Sequence, residues 1–125
     1  MAMIETRAGL DNLDEILSVE GLDAVYVGPA DLALALGCEP RLDPTEEDVV
    51  KAIEHIVVRA RKKKIVAGIH TASTANAQKM IGQGFQFVTV SSDVRLLVAK
   101  ASEVLQTMGR GPSAAKAALT QRGPY

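Results

Sequence analysis

Four short apolar runs along this chain predict β-strands. After Asp23, the run at residues 24–27 is continuously apolar, which is typical of a strand that is buried on both faces of a parallel sheet. It leads directly into a Gly-Pro pair. The predicted strands are MAMIE (1–5), DAVYV (23–27), IVAGIH (65–70) and FQFVTV (85–90).

Between and after these runs, apolar residues recur at intervals of three and four and predict helices. The longest stripe includes Val49 and Ile53. We expect Asp43 to cap that helix, with Pro44 at its first position and Glu46 three residues after the cap. The predicted helices cover residues 6–21, 30–36, 42–64, 73–84 and 93–108.

Strand and helix thus alternate four times, which predicts an α/β fold with a parallel sheet and right-handed crossovers. A complete (β/α)8 TIM barrel takes about 250 residues, so four consecutive βα units correspond to half of one. A Gly-rich phosphate fingerprint does not follow the first strand, which disfavours a nucleotide-binding fold. We predict a half-barrel at 1–108, followed at 109–125 by a C-terminal arm that is extended or disordered.

Composition excludes several classes of function. The chain has 125 residues and a formal net charge of −1, with no basic face for nucleic acid and no polybasic membrane anchor. The single cysteine, Cys38, excludes an internal disulfide. Glu5 interrupts the place where a signal peptide needs apolar residues, so we predict a cytoplasmic protein.

Polar side chains follow each predicted strand, at the edge where parallel α/β sheets bind ligands. They are Glu5, Asp31, His70 and the Ser91–Asp93 stretch. Neighbouring strands lie about 4.8 Å apart, so Glu5 and Asp31 can reach one point, and two carboxylates that close need a cation. Without adjacent Cys or clustered His, they suit Mg²⁺ or Mn²⁺, with Co²⁺ or Zn²⁺ as further possibilities.

The turn after the second strand predicts an anion pocket beside that metal. Gly28 lets a ligand approach the backbone, and Pro29 gives up an N–H group that would be unsatisfied. The N–H groups of Ala30 and Asp31 point out of a helix N-terminus. A ligand with a carboxylate next to a carbonyl would chelate the metal and meet these N–H groups, which describes a 2-oxo acid.

The stretch MIETRAGLDNLDEILSVEGLDAVYVGPADLALALG, residues 3–37, resembles the HpcH/HpaI aldolase family. These are metal-dependent class II aldolases that act on pyruvate, and the citrate lyase β-subunit is a distant relative. The resemblance extends to about Met108 and covers only the C-terminal half of the family's barrel. It implies that Glu5 of IET and Asp31 of GPADL bind the divalent metal. It also implies that backbone N–H groups of Ala30 and Asp31 bind the pyruvyl carboxylate.

The implied reaction is the cleavage of a 4-hydroxy-2-oxo acid to pyruvate and an aldehyde. The family's catalytic Arg and its acid-supported His come from the first half of the barrel, so we identify no general base or other catalytic residue here. Met3 stands where some members have a substrate-binding Gln, and it cannot donate that hydrogen bond. His70 stands where some relatives have an apolar residue, and we expect it to bind the aldehyde part of the substrate.

Other interpretations remain open at this point. The chain would act as a non-catalytic half-barrel if it only bound a divalent metal and 2-oxo acids, or if it only self-associated. Open strand edges favour a homo-oligomer in either case. A CoA thioester lyase like citrate lyase is disfavoured, because the chain has GPADL in place of that branch's Glu-Asp-Leu pattern. The sequence does not identify the aldehyde.

Structural roles also compete for the individual residues. Glu5 could form a salt bridge at the rim, and Asp31 and Asp93 could cap helices. His70 could donate to a backbone carbonyl, and His55 could be solvated.

Overall fold

Four parallel strands form a single sheet in the computed structural model, which describes residues 1–110. Each strand pairs with the next along the chain, and this confirms the predicted α/β class. The strands are β1 (Ala2–Ile4), β2 (Ala24–Val27), β3 (Val66–Thr71) and β4 (Phe87–Val90).

Over residues 1–110, six helices follow or connect these strands: α1 (Arg7–Asp11), α2 (Leu13–Ile16), α3 (Pro29–Ala35), α4 (Glu47–Lys62), α5 (Thr74–Gln83) and α6 (Asp93–Thr107). The single helix predicted over 6–21 is wrong, because the chain breaks it at Asn12. The side-chain amide of Asn12 donates to the carbonyl of Ala8 at 2.8 Å. Such local side-chain hydrogen bonds compete with the helix, and Asn12 takes φ −99° and ψ 19°.

Asp43 does not cap the long helix, and that prediction is wrong. Helix α4 begins at Glu47, one turn later than the sequence predicts. The Asp43 carboxylate instead accepts the N–H groups of Ala72 at 2.8 Å and Ser73 at 3.0 Å, and the side-chain amide of Asn76 at 2.9 Å. Burial would raise the pKa of Asp43, but these hydrogen bonds outweigh it and hold that pKa below its ordinary value.

The chain divides into two compact units, Met1–Ser91 and Ser92–Tyr125. The first contains the sheet and α1 to α5, and the second contains α6. Ser92 caps α6 by accepting a backbone N–H of its first turn, so Asp93 is the first helical residue and not the cap. The predicted arm at 109–125 lies outside the described residues, apart from its first two. Within residues 1–110, no helix is long and apolar enough to cross a membrane.

One face of the sheet carries the core of the first unit. Ile4, Val27, Ile69 and Val88 lie side by side in register. They pack against apolar residues of the helices, including Val49, Ile53, Ile56 and Val57 of α4.

The opposite face of the sheet carries a second row of aligned residues, Met3, Tyr26, Gly68 and Phe87. Met3 is 50% exposed and Phe87 is 47% exposed. On β2 itself, Ala24 and Tyr26 are only partly buried on this face, so the prediction that β2 is buried on both faces is wrong for this unit. We call the uncovered side the open face.

Candidate functional site

The carboxyl ends of the four strands bring four residues to one level of the open face. The register pairs Ile4 with Val27 and Val27 with Ile69, and it also pairs His70 with Thr89. One residue further along the first two strands come Glu5 and Gly28. Because side chains alternate between faces, Glu5, Gly28, His70 and Thr89 share the open face at the same height.

Glu5 lies across Gly28 of the neighbouring strand. A Cβ atom added to Gly28 would stand 2.7 Å from Glu5 Oε2 and 3.3 Å from Glu5 Cβ. A side chain at that position would therefore displace the carboxylate. The sequence assigned Gly28 to the approach of a ligand, and the structure gives it a second role as the space that the Glu5 carboxylate occupies.

Asp31 lies in the first turn of α3, three residues after Gly28 along the chain. Gly28 is the N-cap of this helix and Pro29 its first residue, so Asp31 is not the cap. Pro29 and Leu32 are buried and hold α3 against the core, whereas Asp31 is exposed. None of the salt bridges within residues 1–110 involves Glu5 or Asp31. Neither carboxylate therefore forms an ion pair in this part of the chain.

This donor set fits a hard divalent cation. Among residues 1–110, no group of three or more His, Cys, Asp and Glu is arranged to hold a metal ion, so a metal at this place would have at most the two carboxylates of Glu5 and Asp31 from this part of the chain. Mg²⁺ is commonly bound by one or two carboxylates and completes its shell with water and substrate oxygens. Zn²⁺ prefers nitrogen and sulfur ligands. Glu5 and Asp31 fit Mg²⁺ or Mn²⁺ better than Zn²⁺, and the Glu5 carboxylate occupies the space that the missing side chain of Gly28 leaves open.

His70 belongs to a hydrogen-bonded group on the open face. Its Nδ1 lies 2.7 Å from Thr89 Oγ1, and the hydroxyl of Tyr26 lies 2.5 Å from the same oxygen. The alternative that His70 satisfies a backbone carbonyl is therefore not what the structure shows. Thr89 links side chains from β2 and β3 through one hydroxyl group.

Tyr26 reaches β4 because β3 has a glycine in between. A Cβ atom on Gly68 would lie 2.7 Å from Tyr26 Cδ2 and 3.0 Å from the carbonyl oxygen of Phe87. Without that atom, the Tyr26 ring leans over β3 and contacts Phe87, with ring centroids 5.8 Å apart and planes tilted by 52°. The phenol hydroxyl then meets Thr89, two residues beyond Phe87.

Sequence reasoning missed Tyr26, Gly68 and Thr89. Their period-two spacing relative to Gly28, His70 and Phe87 assigns them to the same faces. It does not give the register between strands, which decides that Tyr26, Gly68 and Phe87 align.

The remaining candidates lie at the edge of this arrangement or outside it. Met3 is on the open face, with its Cε 3.6 Å from the Cβ position of Gly28. Ser91 takes a left-handed φ of 60° and donates its N–H to the Thr71 carbonyl at 2.7 Å. His55 lines a separate cavity of about 440 Å³ between α1 and α4, which includes none of the strand-end residues.

Comparison with known proteins gives a consistent family. The family model described as HpcH/HpaI aldolase/citrate lyase matches residues 1–99. A hydroxypyruvate/pyruvate aldolase from Rhizorhabdus wittichii is 47% identical over 105 residues, which make up 84% of this chain and 42% of that protein. A 5-keto-4-deoxy-D-glucarate aldolase from Shigella dysenteriae is 40% identical over 94 residues, or 75% of this chain and 36% of that protein.

The fold comparison agrees. The crystal structure of an HpcH/HpaI aldolase/citrate lyase family protein from Burkholderia cenocepacia aligns with a TM-score of 0.80 and 31% identity. The alignment covers 85% of this chain and 40% of that one. The chain therefore spans less than half the length of the curated relatives it matches.

Proposed function

This chain belongs to the HpcH/HpaI aldolase/citrate lyase family, and on that premise we propose that it is the metal-binding part of a class II aldolase. The reaction is the cleavage of a 4-hydroxy-2-oxo acid to pyruvate and an aldehyde. The observation that carries the proposal is the Glu5 carboxylate resting on Gly28, three residues before Asp31, with no salt bridge to either carboxylate within residues 1–110.

In this proposal Glu5 and Asp31 hold Mg²⁺ or Mn²⁺. When bound, the cation supplies Lewis acidity toward the C2 carbonyl of the oxo acid. The first turn of α3 leaves backbone N–H groups without helical acceptors, and those of Ala30 and Asp31 bind the pyruvyl carboxylate. Gly28 and Pro29 keep side-chain bulk and an unpaired N–H group out of that contact.

The remaining groups act on the other end of the substrate. His70, at the level of Glu5 on the open face, hydrogen-bonds the aldehyde part. Cleavage breaks the C3–C4 bond and requires a base to take the proton of the C4 hydroxyl, and we assign that base to no residue of this chain. The Rhizorhabdus wittichii relative, named as a hydroxypyruvate/pyruvate aldolase, supports pyruvate as the product class.

The first test is metal binding by matched acidic variants. We expect Glu5→Gln and Asp31→Asn each to weaken Mn²⁺ binding by at least about 10-fold, because each removes one of two anionic ligands. Asp23→Asn is the control, since Asp23 is exposed and precedes β2 at the opposite end of the sheet. Free Mn²⁺ is counted by electron paramagnetic resonance, and circular dichroism checks the fold. Unchanged affinity in both site variants would overturn the metal assignment.

A second candidate function is a non-catalytic module that binds the metal and 2-oxo acids and self-associates. The two unpaired edges of the sheet in the Met1–Ser91 unit, and the exposed Met3 and Phe87, favour it. Pyruvate release from a panel of 4-hydroxy-2-oxo acids, with Mn²⁺ and with EDTA, separates the two. Turnover that EDTA abolishes supports the aldolase, whereas Mn²⁺ binding without turnover in an oligomer, sized by light scattering, supports the binding module.

A further inference from the structure

Tyr26, Thr89 and His70 form a hydrogen-bonded group, and the chemistry of the three side chains limits which of them donates and which accepts. Thr89 has one hydroxyl proton, and its oxygen lies within hydrogen-bond distance of both Tyr26 and His70. A hydroxyl has one donor and two acceptor sites, so Thr89 either donates to one of them and accepts from the other, or accepts from both. Accepting from both would leave the Thr89 proton without a partner within residues 1–110 and is disfavoured. The other two arrangements differ in which nitrogen of His70 is protonated.

The acidity of the three groups favours one arrangement. A phenol is a stronger hydrogen-bond donor than an aliphatic hydroxyl, and a neutral imidazole nitrogen is the best acceptor of the three. The Tyr26 hydroxyl then donates to Thr89, and Thr89 donates to His70 Nδ1. This leaves the His70 proton on Nε2, as in other sites where a partner on one ring nitrogen fixes the tautomer.

The packing around Tyr26 holds these three hydrogen-bonded side chains in position. The ring fills the space left by Gly68 and contacts Phe87, so the hydroxyl is held at Thr89 by the packing of its own ring. His70 Nε2 makes no hydrogen bond to any residue that the structure describes, so its proton is available to a ligand on the open face. Glu5 is two strands away at the same level.

We propose that Tyr26 and Thr89 are positioning residues that hold His70 as the neutral Nε2–H tautomer. That tautomer presents one hydrogen-bond donor to an oxygen atom that the ligand carries outside its 2-oxo acid group. This inference rests on the proposed function for the identity of the ligand. It also narrows the substrate class. Oxo acids with a hydroxyl on the carbon next to the keto group, or on a later carbon, should bind better than the same oxo acids without that hydroxyl.

The tautomer is tested directly by ¹⁵N nuclear magnetic resonance of the full chain at about pH 8, where imidazole is neutral. The chain has two histidines, so a His55→Gln background leaves only the His70 signals. We expect an unprotonated Nδ1 and a protonated Nε2. Thr89→Val should shift the signals toward a mixture of tautomers, whereas Thr89→Ser keeps the hydroxyl and should restore the original spectrum.

Tyr26→Phe tests the contribution of the hydroxyl separately from that of the ring. It keeps the aromatic contact with Phe87 but removes the donor, so the tautomer preference should fall while the fold is retained. A protonated Nδ1 in the unmodified chain would overturn the inference. So would a spectrum that Thr89→Val leaves unchanged.

Ligand selection is tested with hydroxypyruvate and pyruvate, which differ by one hydroxyl, in the presence of Mn²⁺ and by titration calorimetry. We expect Thr89→Val to weaken hydroxypyruvate binding by about 5-fold more than pyruvate binding, the effect of one hydrogen bond. Equal losses for both ligands would overturn the inference and leave the proposed function intact. If the unmodified chain binds neither ligand with Mn²⁺, the proposed function fails, and the ligand-facing role of His70 fails with it.

Discussion

Replacing Gly28 by alanine tests the closest contact of the candidate site. The new Cβ would lie 2.7 Å from Glu5 Oε2, whereas ordinary contacts begin at about 3.5 Å. The carboxylate must therefore retreat by close to 1 Å. Gly28 has φ −96° and ψ 91°, which alanine also adopts, so the perturbation is steric and does not come from backbone strain.

A displacement of that size has a large expected effect on metal binding. Metal–ligand distances tolerate about 0.2 Å, and disturbing the groups that orient a ligand lowers affinity by about 10–100-fold. We expect Gly28→Ala to lose Mn²⁺ affinity in that range, measured by electron paramagnetic resonance of the free ion. The matched control is Gly82→Ala in α5, where the added Cβ meets nothing within 4 Å.

The Gly82→Ala control also has an expected effect on stability. Alanine in place of a helical glycine should raise the free energy of unfolding by about 0.5–1 kcal/mol without changing Mn²⁺ affinity. Urea unfolding of both variants shows whether Gly28→Ala is folded. A folded Gly28→Ala protein that binds Mn²⁺ as tightly as the unmodified chain would refute the reasoning, because the carboxylate then binds the metal from elsewhere or not at all.

Two further predictions concern stability. Asp43→Ala should lower the free energy of unfolding by about 2 kcal/mol at neutral pH, because it leaves the N–H groups of Ala72 and Ser73 without their acceptor. The folded pKa of Asp43 lies below the ordinary value of 3.8, so its contribution is complete above that pH and disappears as the pH falls through the folded pKa. Urea midpoints at neutral and acid pH check this, and an equal deficit at both would contradict it. Ile56→Ala should cost about 2–5 kcal/mol, whereas Val58→Ala, 49% exposed on the same helix, should stay within about 0.5 kcal/mol in the same assay, and similar losses would contradict the packing.

The elements themselves are largely predictable from sequence, because apolar periodicity records which side of each element is buried. The strand order follows from four βα units that each return to the next position in the sheet. The boundaries that failed involve Asn12 and Asp43, whose side chains each have several possible backbone partners. Sequence alone does not identify which partner is used. In the fold, Asn12 breaks a helix, and Asp43 reaches residues that are far away along the chain.

In the candidate site, too, some residues could be predicted from sequence and others could not. Glu5 and Asp31 could be proposed from sequence because they follow neighbouring strands, and the end of a parallel strand is a position that sequence can identify. Tyr26 and Thr89 could not, because their contact joins strands that are not adjacent in the sheet. It depends on the register of three strands and on the missing side chain at Gly68.

Gly28 and Gly68 have the same role on the open face, because each leaves space for a side chain from a neighbouring strand. Gly68 lies in β3 and Gly28 directly follows β2. At each glycine, a side chain from the neighbouring strand or its end lies where a Cβ atom would stand: Glu5 over Gly28, and Tyr26 over Gly68. Side chains on a flat sheet stand over their own strands, about 4.8 Å apart, and would keep these polar groups separate. The glycines instead let β1 extend its carboxylate onto β2 and let β2 extend its phenol across β3. The Glu5 carboxylate therefore lies over the end of β2, whereas the Tyr26 hydroxyl reaches Thr89 of β4, which also contacts His70 of β3. The proposed oxo acid would bind between Glu5 and His70, on the face that these two glycines shape.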